Sequence, residues 1–223
     1  IQSTAKVNAS AGFSILTYTG NGSTATIGHG LGVAPKAVIV KRRSGSDNWQ
    51  VYWIGAGTER SGFLSLTNAL STGANTSYWG TSVPTSTVFS VANSTQTNGS
   101  SETYVAYVFS SVEGYSKFGE YTGNGSSDGT FVFTGFKVQF LLIKRTTTEH
   151  WILADTKRNS VTGRESPADS YLLASASNAE STGIIYDMLS NGFKFRSSSQ
   201  NESSSTYIYL AFAESPFRNA RAR

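Results

Sequence analysis

The residues best suited to chemistry in this sequence are His29 and His150, and they lack the spacing of a catalytic or metal site. Neither belongs to an HxH or HExxH pattern, which zinc sites use. The 35 serines make accidental Ser-His-Asp combinations inevitable, so no triad is inferred. The carboxylates of the second half show no glycosidase-like pairing: Asp155, Asp169, Glu180 and Asp187. We expect no catalytic residues, no metal and no cofactor.

An aromatic pair in a polar segment, Tyr78-Trp79, is the main candidate for ligand binding. It follows Asn75 in a hydroxyl-rich stretch, and sugars stack on exposed aromatic faces while neighbouring amides hold their hydroxyls. The pair has no counterpart in the second half, which favours a surface role; packing or a subunit contact is the alternative. His29, in a glycine-rich turn, and Arg164, in a longer loop of the second half, complete the predicted recognition set.

The formal net charge of +4, from 18 Lys+Arg against 14 Asp+Glu, is mostly a property of the C-terminal tail. Removing Arg218, Arg221 and Arg223 leaves 15 against 14. Basic residues elsewhere form only short clusters, such as Lys41–Arg43 and Lys144-Arg145, so nucleic acid is not an expected partner. The recurring Lys-Arg pair indicates a strand that leaves the core into solvent; the alternative is a charged contact with the next copy or with another subunit.

The composition excludes several protein classes. The 223 residues include no Cys, which excludes a disulfide scaffold, and no apolar run long enough for a membrane helix, so membrane insertion is not expected. Only 14% of the residues are charged, which argues against a helical bundle, whereas 13% are aromatic and argue against disorder. With 35 Ser and 25 Thr, the sequence is typical of an all-β protein with a hydroxyl-rich surface.

The sequence is duplicated at an offset of 103 residues, since Tyr18–Ser23 recurs as Tyr121–Ser126. Further pairs match along each copy: Val38–Arg42 with Leu141–Arg145, Asn98 with Asn201, Tyr104 with Tyr207, Phe109 with Phe212, and Trp49 with Trp151 after one deletion. The recurring tryptophans are predicted to lie in the core. We predict a lead-in segment at 1–10, repeats at 11–112 and 113–217, and a basic tail at 218–223.

Runs of β-branched and aromatic residues between Gly, Ser and Asn predict strands throughout. In the first copy they are Ser14–Thr19, Lys36–Lys41, Trp49–Ile54, Phe63–Thr67, Thr87–Val91 and Thr103–Ser110. In the second they are Ser116–Tyr121, Thr130–Thr134, Phe140–Arg145, Trp151–Asp155, Ser170–Ala174, Phe193–Arg196 and Thr206–Phe212, and 177–180 is predicted to form a helical turn. The predicted fold is all-β, with two tandem, tightly packed, jelly-roll-like β-sandwich repeats of about 100 residues. A double jelly roll and one pseudo-twofold sandwich both fit.

The repeated motifs resemble a phage domain family that occurs, often in tandem, at the C-terminal end of long virion and tail-fibre-like proteins of marine and cyanobacterial phages. The segments that carry the resemblance are GFSILTYTGNGSTATIGHGLGVAPKAVIVKRR, STVFSVANSTQTNGSSETYVAYVF, EGYSKFGEYTGNGSSDGTFVFTGF, LSNGFKF and YIYLAFAESPF. Because the chain opens on Ile1, we expect a processed product or a fragment of a longer protein.

The resemblance implies a virion-surface location and a non-enzymatic role in host recognition. The expected function is that of the distal part of a tail fibre or appendage that binds a host surface glycan or protein. Capsid decoration or fibre stabilisation without receptor binding is the alternative, and a glycan depolymerase is a third. Expected partners are other virion proteins and further copies of the chain, trimeric by analogy with phage fibres.

Overall fold

The computed structural model describes residues 1–158 and 168–214. The chain divides into two compact units, Ile1–Ser111 (unit 1) and Val112–Arg223 (unit 2). Strands dominate both units, so the predicted all-β fold is confirmed. Within the described ranges, no helix is long and apolar enough to cross a membrane.

Unit 1 is a β-sandwich of a large sheet and a small one. Its elements are β1 (Ser3–Asn8), β2 (Phe13–Thr19), β3 (Ala25–Gly28), β4 (Ala37–Arg42), β5 (Gln50–Trp53), β6 (Arg60–Phe63), β7 (Ser71–Thr72), α1 (Thr76–Trp79), β8 (Val88–Val91) and β9 (Thr103–Phe109). The large sheet has the order β1-β2-β9-β4-β5-β6-β7, and β3 pairs with β8.

The core of unit 1 lies between these two sheets. Alternate residues of β2, Leu16 and Tyr18, point inward because successive side chains of a strand face opposite sides. They join one buried cluster with Ile27 of β3 and Phe89 of β8. Burying a side chain of this size contributes about 1.5–3 kcal/mol.

Unit 2 has one large sheet that folds over on itself. Its strands are β10 (Ser116–Thr122), β11 (Phe131–Phe133), β12 (Phe140–Arg145), β13 (Trp151–Asp155), β14 (Ala168–Leu173), β15 (Ser181–Leu189), β16 (Gly192–Phe195) and β17 (Thr206–Phe212), in the order β10-β17-β12-β13-β14-β15-β16-β11. Tyr121 on β10 contacts Phe193 and Phe195 on β16, with ring centroids 6.3 and 5.1 Å apart. Strands from opposite ends of the order therefore enclose the core.

The two units share a strand order but differ at their edges. The order β2-β9-β4-β5-β6-β7 in unit 1 corresponds to β10-β17-β12-β13-β14-β15 in unit 2. The segment 1–10, predicted as a lead-in, supplies β1, which pairs with β2 along its whole length. The helical turn predicted at 177–180 is not formed, and a short helix occurs instead at Thr76–Trp79.

A buried asparagine in each unit holds the repeated Gly-Asn-Gly turn. Asn98 Oδ1 accepts a hydrogen bond from the backbone N–H of Asn21 at 2.9 Å, and its Nδ2 donates to Asn21 Oδ1 at 3.0 Å. Asn201 makes the same pair of bonds with Asn124, at 3.2 and 2.7 Å. Both anchoring side chains are fully buried. The most strongly repeated residues are thus explained by turn architecture.

Candidate functional site

The prediction that Trp79 is an exposed stacking residue is wrong, because its side chain is 0% exposed. Asn75 caps α1, its Oδ1 accepting a hydrogen bond from the backbone N–H two residues on at 3.1 Å. The single helical turn directs Trp79 into the core, where it stacks on Tyr52 with ring centroids 5.4 Å apart. Tyr78 is half-buried and packs edge-on against Phe63. A sugar ring therefore has no access to Trp79.

His29 is also fully buried, so its predicted place in a surface recognition set is wrong. It lies between Ile27 and Leu31, and the period of two places all three side chains in the core. Its Nδ1 accepts from the N–H of Leu31 at 3.2 Å, and Nε2 lies 3.2 Å from Thr85 O. The neutral ring protonated at Nε2 satisfies both contacts, and burial lowers the pKa of His29.

The recurring tryptophans differ in burial. Trp151 is buried, as predicted for a core residue. Trp49 is only half-buried, and its ring stacks on Tyr107 with centroids 6.1 Å apart. The remaining residue of the predicted recognition set, Arg164, lies outside the described residues.

Of the four carboxylates considered in the sequence, Asp155, Glu180 and Asp187 pair with arginines, and the side chain of Asp169 lies outside the described part of the structure. Arg158 bridges Asp155 and Glu180 at 2.7 and 3.3 Å.

The segment 125–129 matches a G-x-S-x-G pattern, but it lies in the connection between β10 and β11, whereas a nucleophile elbow joins a strand to a helix. Among the described residues, no three His, Cys, Asp or Glu side chains form a group that could hold a metal ion.

The most exposed large aromatic side chains that the structure describes are Phe131 and Phe133, which are 43% and 56% exposed. They point to the outer side of β11, while Val132 between them points into the core. Strand β11 is the last strand of the sheet and pairs only with β16 among the described strands. Two rings at i and i+2 on one strand lie about 6.6 Å apart along it.

The strand neighbours of the two phenylalanines hold them in place. Gly192 lies opposite Phe133, and a Cβ at that glycine would clash with the Val132 carbonyl and lie 3.0 Å from Phe131 Cε2, so the glycine allows both the strand and the ring to approach closely. Lys117 Nζ donates to Phe133 O at 2.8 Å and lies 5.3 Å from the centre of the Phe133 ring. This cation contacts the ring and fixes the backbone beneath it.

A charged network lies beside the two rings on the same side of the sheet. Lys194 is opposite both Phe131 and Asp187 in the strand register. Asp128 accepts from Lys194 at 2.7 Å and from Arg196 at 3.0 Å, and Arg196 also pairs with Asp187. The hydrogen bond from Lys194 is the main reason why the pKa of Asp128 is lowered. We call Phe131, Phe133, Asp128, Asp187, Lys194 and Arg196 the aromatic–charged face.

The corresponding flank of unit 1 has a different structure. At the repeat offset, Phe131 and Phe133 correspond to Gly28 and Gly30. Strand β1 lies along these glycines: Ser3 Oγ donates to Gly28 O at 2.8 Å, and a Cβ at Gly30 would lie 2.9 Å from Val7 Cγ2. The face is therefore specific to unit 2. A comparison of the two copies in the sequence could have pointed to this face, because Phe131-Val132-Phe133 in the second copy replaces Gly28-His29-Gly30 in the first.

Comparison with known proteins gives a single family. No curated protein and no solved structure matches the chain. The family described as a domain of unknown function, DUF7483, matches residues 1–216, so the match includes residues of both units. The chain belongs to the DUF7483 family.

Proposed function

We propose that this chain is a non-enzymatic module of a phage virion that binds a host surface glycan through the aromatic–charged face. The observation that carries the proposal is the exposure of Phe131 and Phe133 beside a fixed network of charged side chains. The location at the distal part of a tail fibre or appendage rests on the motif resemblance.

The chemistry of the face suits a sugar better than a purely apolar ligand. The apolar C–H face of a pyranose matches an aromatic ring, and charged groups at the ring edge accept and donate hydrogen bonds to hydroxyls. The pairing of Asp128 with Lys194 and Arg196 holds these groups in one arrangement before a ligand arrives, which lowers the entropy cost of binding. The underlying strands keep the rings in register.

A glycan array tests the proposal with the full chain and two double variants. Phe131→Ser/Phe133→Ser removes both rings, and we expect glycan binding and host-cell adsorption to fall about tenfold or more, since each ring contact contributes about 0.5–1.5 kcal/mol. Val33→Ser/Val83→Ser is the matched control, because these valines are 52% and 51% exposed in unit 1. It should bind as the unaltered chain does.

Two results contradict the proposal. One is unchanged glycan binding by the Phe131→Ser/Phe133→Ser variant. The other is that no glycan binds, while light scattering shows that the unaltered chain is an oligomer and the double variant a monomer. In that case the two rings form a subunit contact, and the role is fibre stabilisation.

A further inference from the structure

Three consecutive basic residues lie at the end of β4, the third just beyond the strand, and the first two have structural roles. Lys41 Nζ donates to two backbone carbonyl oxygens, at the end of β4 and in the following turn, at 2.9 and 3.0 Å. The Arg42 guanidinium pairs with Asp47 at 2.8 Å and with Glu102 at 3.0 Å. These two side chains stabilise the turn, whereas the side chain of Arg43 takes no part in these contacts.

Unit 2 repeats the two structural roles without the third basic residue. Lys144 Nζ donates to two backbone carbonyl oxygens at 2.6 and 2.7 Å, and Arg145 pairs with Glu202. The third position is Thr146, whose N–H donates to a carbonyl of β17. Arg43 makes the corresponding backbone bond to Thr103 O. The fold therefore needs the backbone at this position but not an arginine side chain.

The Arg43 guanidinium is exposed and makes no ion pair or hydrogen bond within the part of the chain that the structure describes. It lines an open cavity of about 590 Å³ in unit 1. The other lining residues include no Asp or Glu: Ile1, Gln2, Thr4, Thr17, Tyr18, Thr19, Thr103 and Tyr104. The cavity thus has one cationic side chain that no lining carboxylate neutralises.

Threonine hydroxyls form the wall of this cavity on adjacent strands. Thr4 of β1 lies opposite Thr17 of β2, and Thr19 of β2 lies opposite Thr103 of β9. Strand alternation brings these side chains to the outer side of the sheet, since Tyr18 and Tyr104 between them point into the core. Hydroxyl groups both donate and accept, so the wall complements a ligand with several hydroxyls.

We infer that this cavity binds a carboxylate-bearing saccharide, with its carboxylate on Arg43 and its hydroxyls on the threonine wall. A guanidinium donates two parallel hydrogen bonds to a carboxylate, which fixes the orientation of the sugar. A cavity of about 590 Å³ lies within the size range of small-molecule sites, and because it is open, a short oligosaccharide can extend beyond it. The inference shares no residue with the aromatic–charged face, so either proposal can fail without the other.

Titration calorimetry of the full chain with a galacturonate trimer tests this site. We expect the trimer to bind and its methyl ester, which lacks the charge, to bind about tenfold more weakly or worse. Arg43→Thr, which introduces the unit 2 residue, should cause a similar loss. Lys36→Gln is the matched control, because it removes one positive charge just before the other end of β4. Thr17→Val/Thr103→Val should weaken binding of the trimer several-fold.

Three outcomes would overturn the inference. The first is that neither the trimer nor its ester binds. The second is that Arg43→Thr binds the trimer as tightly as the unaltered chain. The third is that inorganic phosphate or acetate binds as tightly as the trimer, since the site would then recognise anions in general and not a sugar. Folding does not complicate the Arg43→Thr variant, because unit 2 has threonine at this position.

Discussion

Gly119 lies directly opposite Tyr209 in the β10–β17 pair, and the tyrosine occupies the space that a side chain at 119 would need. A Cβ at Gly119 would be 2.7 Å from the Tyr209 hydroxyl oxygen, closer than such atoms approach. In unit 1 the corresponding pair is Leu16 opposite Ala106. The two units thus place the larger residue of the pair on opposite strands.

Because the larger residue is on opposite strands in the two units, we expect substitutions at Gly119 and Tyr209 to compensate for each other. Gly119→Leu should lower the free energy of unfolding of unit 2 by about 1–3 kcal/mol through overpacking. Tyr209→Ala should lower it by about 3–5 kcal/mol by leaving a cavity. The double variant, which copies the unit 1 pair, should be more stable than the sum of the single losses by about 1 kcal/mol or more. Urea unfolding of the four proteins measures this, and strictly additive losses would show that the pair is not coupled.

The stability of each unit should depend on the side-chain nitrogen of its buried asparagine, Asn98 or Asn201. Asn98→Asp and Asn201→Asp replace the donating Nδ2 by an acceptor that faces the Oδ1 of Asn21 or Asn124. Each variant should lose about 1–3 kcal/mol or more of unfolding free energy, because a buried donor is removed. The control Asn93→Asp makes the same change at an exposed position and should alter stability by less than about 0.5 kcal/mol. Equal losses in the control and the anchors would contradict the assigned role.

Because of Lys144, we expect the free energy of unfolding to rise with pH. Burial lowers its pKa from 10.5 to about 8, with the nearby Arg145 charge acting in the same direction and Glu149 opposing. Between about pH 8 and 10.5 the unfolded chain binds a proton that the folded chain has lost, so this group increases stability as pH rises. The buried tyrosines oppose it near pH 10 and above, because burial raises the pKa of Tyr209 to about 12.

Urea unfolding at pH 7.5 and pH 9.5 separates these effects. The unaltered chain should gain stability between the two values, and Lys144→Met should lose most of that gain. Tyr209→Phe serves as the control, since the tyrosine stays protonated in the folded chain and, with an unperturbed pKa of about 10, ionises only slightly in the unfolded chain over this interval. A gain that persists unchanged in Lys144→Met would assign the pH dependence to another group.

Substitution of Trp79 should lower the stability of the fold without lowering glycan binding. Its Nε1 has no hydrogen-bond partner among the described residues, so Trp79→Ala removes packing alone and should cost about 3–5 kcal/mol. Trp79→Phe should cost less because most of the ring volume remains. Glycan binding, measured well below the unfolding temperature, should be unchanged in Trp79→Phe. A selective loss of binding in this variant, at native stability, would return the recognition role to α1.

The aromatic–charged face shows why part of the candidate site could not be predicted. The sequence shows Phe131 and Phe133 in an alternating run, but alternation alone does not say which side of a strand is covered. Only the packed structure shows Val132 in the core and the rings outside. Asp128 lies in a turn, and its partners Lys194 and Arg196 lie 66 and 68 residues away along the chain, so the sequence does not show that they pair.

The all-β class, most strand positions and the duplication follow from the amino-acid sequence alone, because alternation, turn residues and repeats are local or directly visible in the chain. The sequence correctly located Phe140–Arg145 and Thr206–Phe212 to the residue. It did not determine the pairing of β1 with β2, since Ser3–Asn8 is mostly polar and becomes a strand through its neighbour. Only the folded structure shows that Trp79 and His29 are core residues and that the Arg43 side chain makes no ion pair or hydrogen bond with the described residues. Burial depends on what packs against a side chain, and that contact comes from residues distant in sequence.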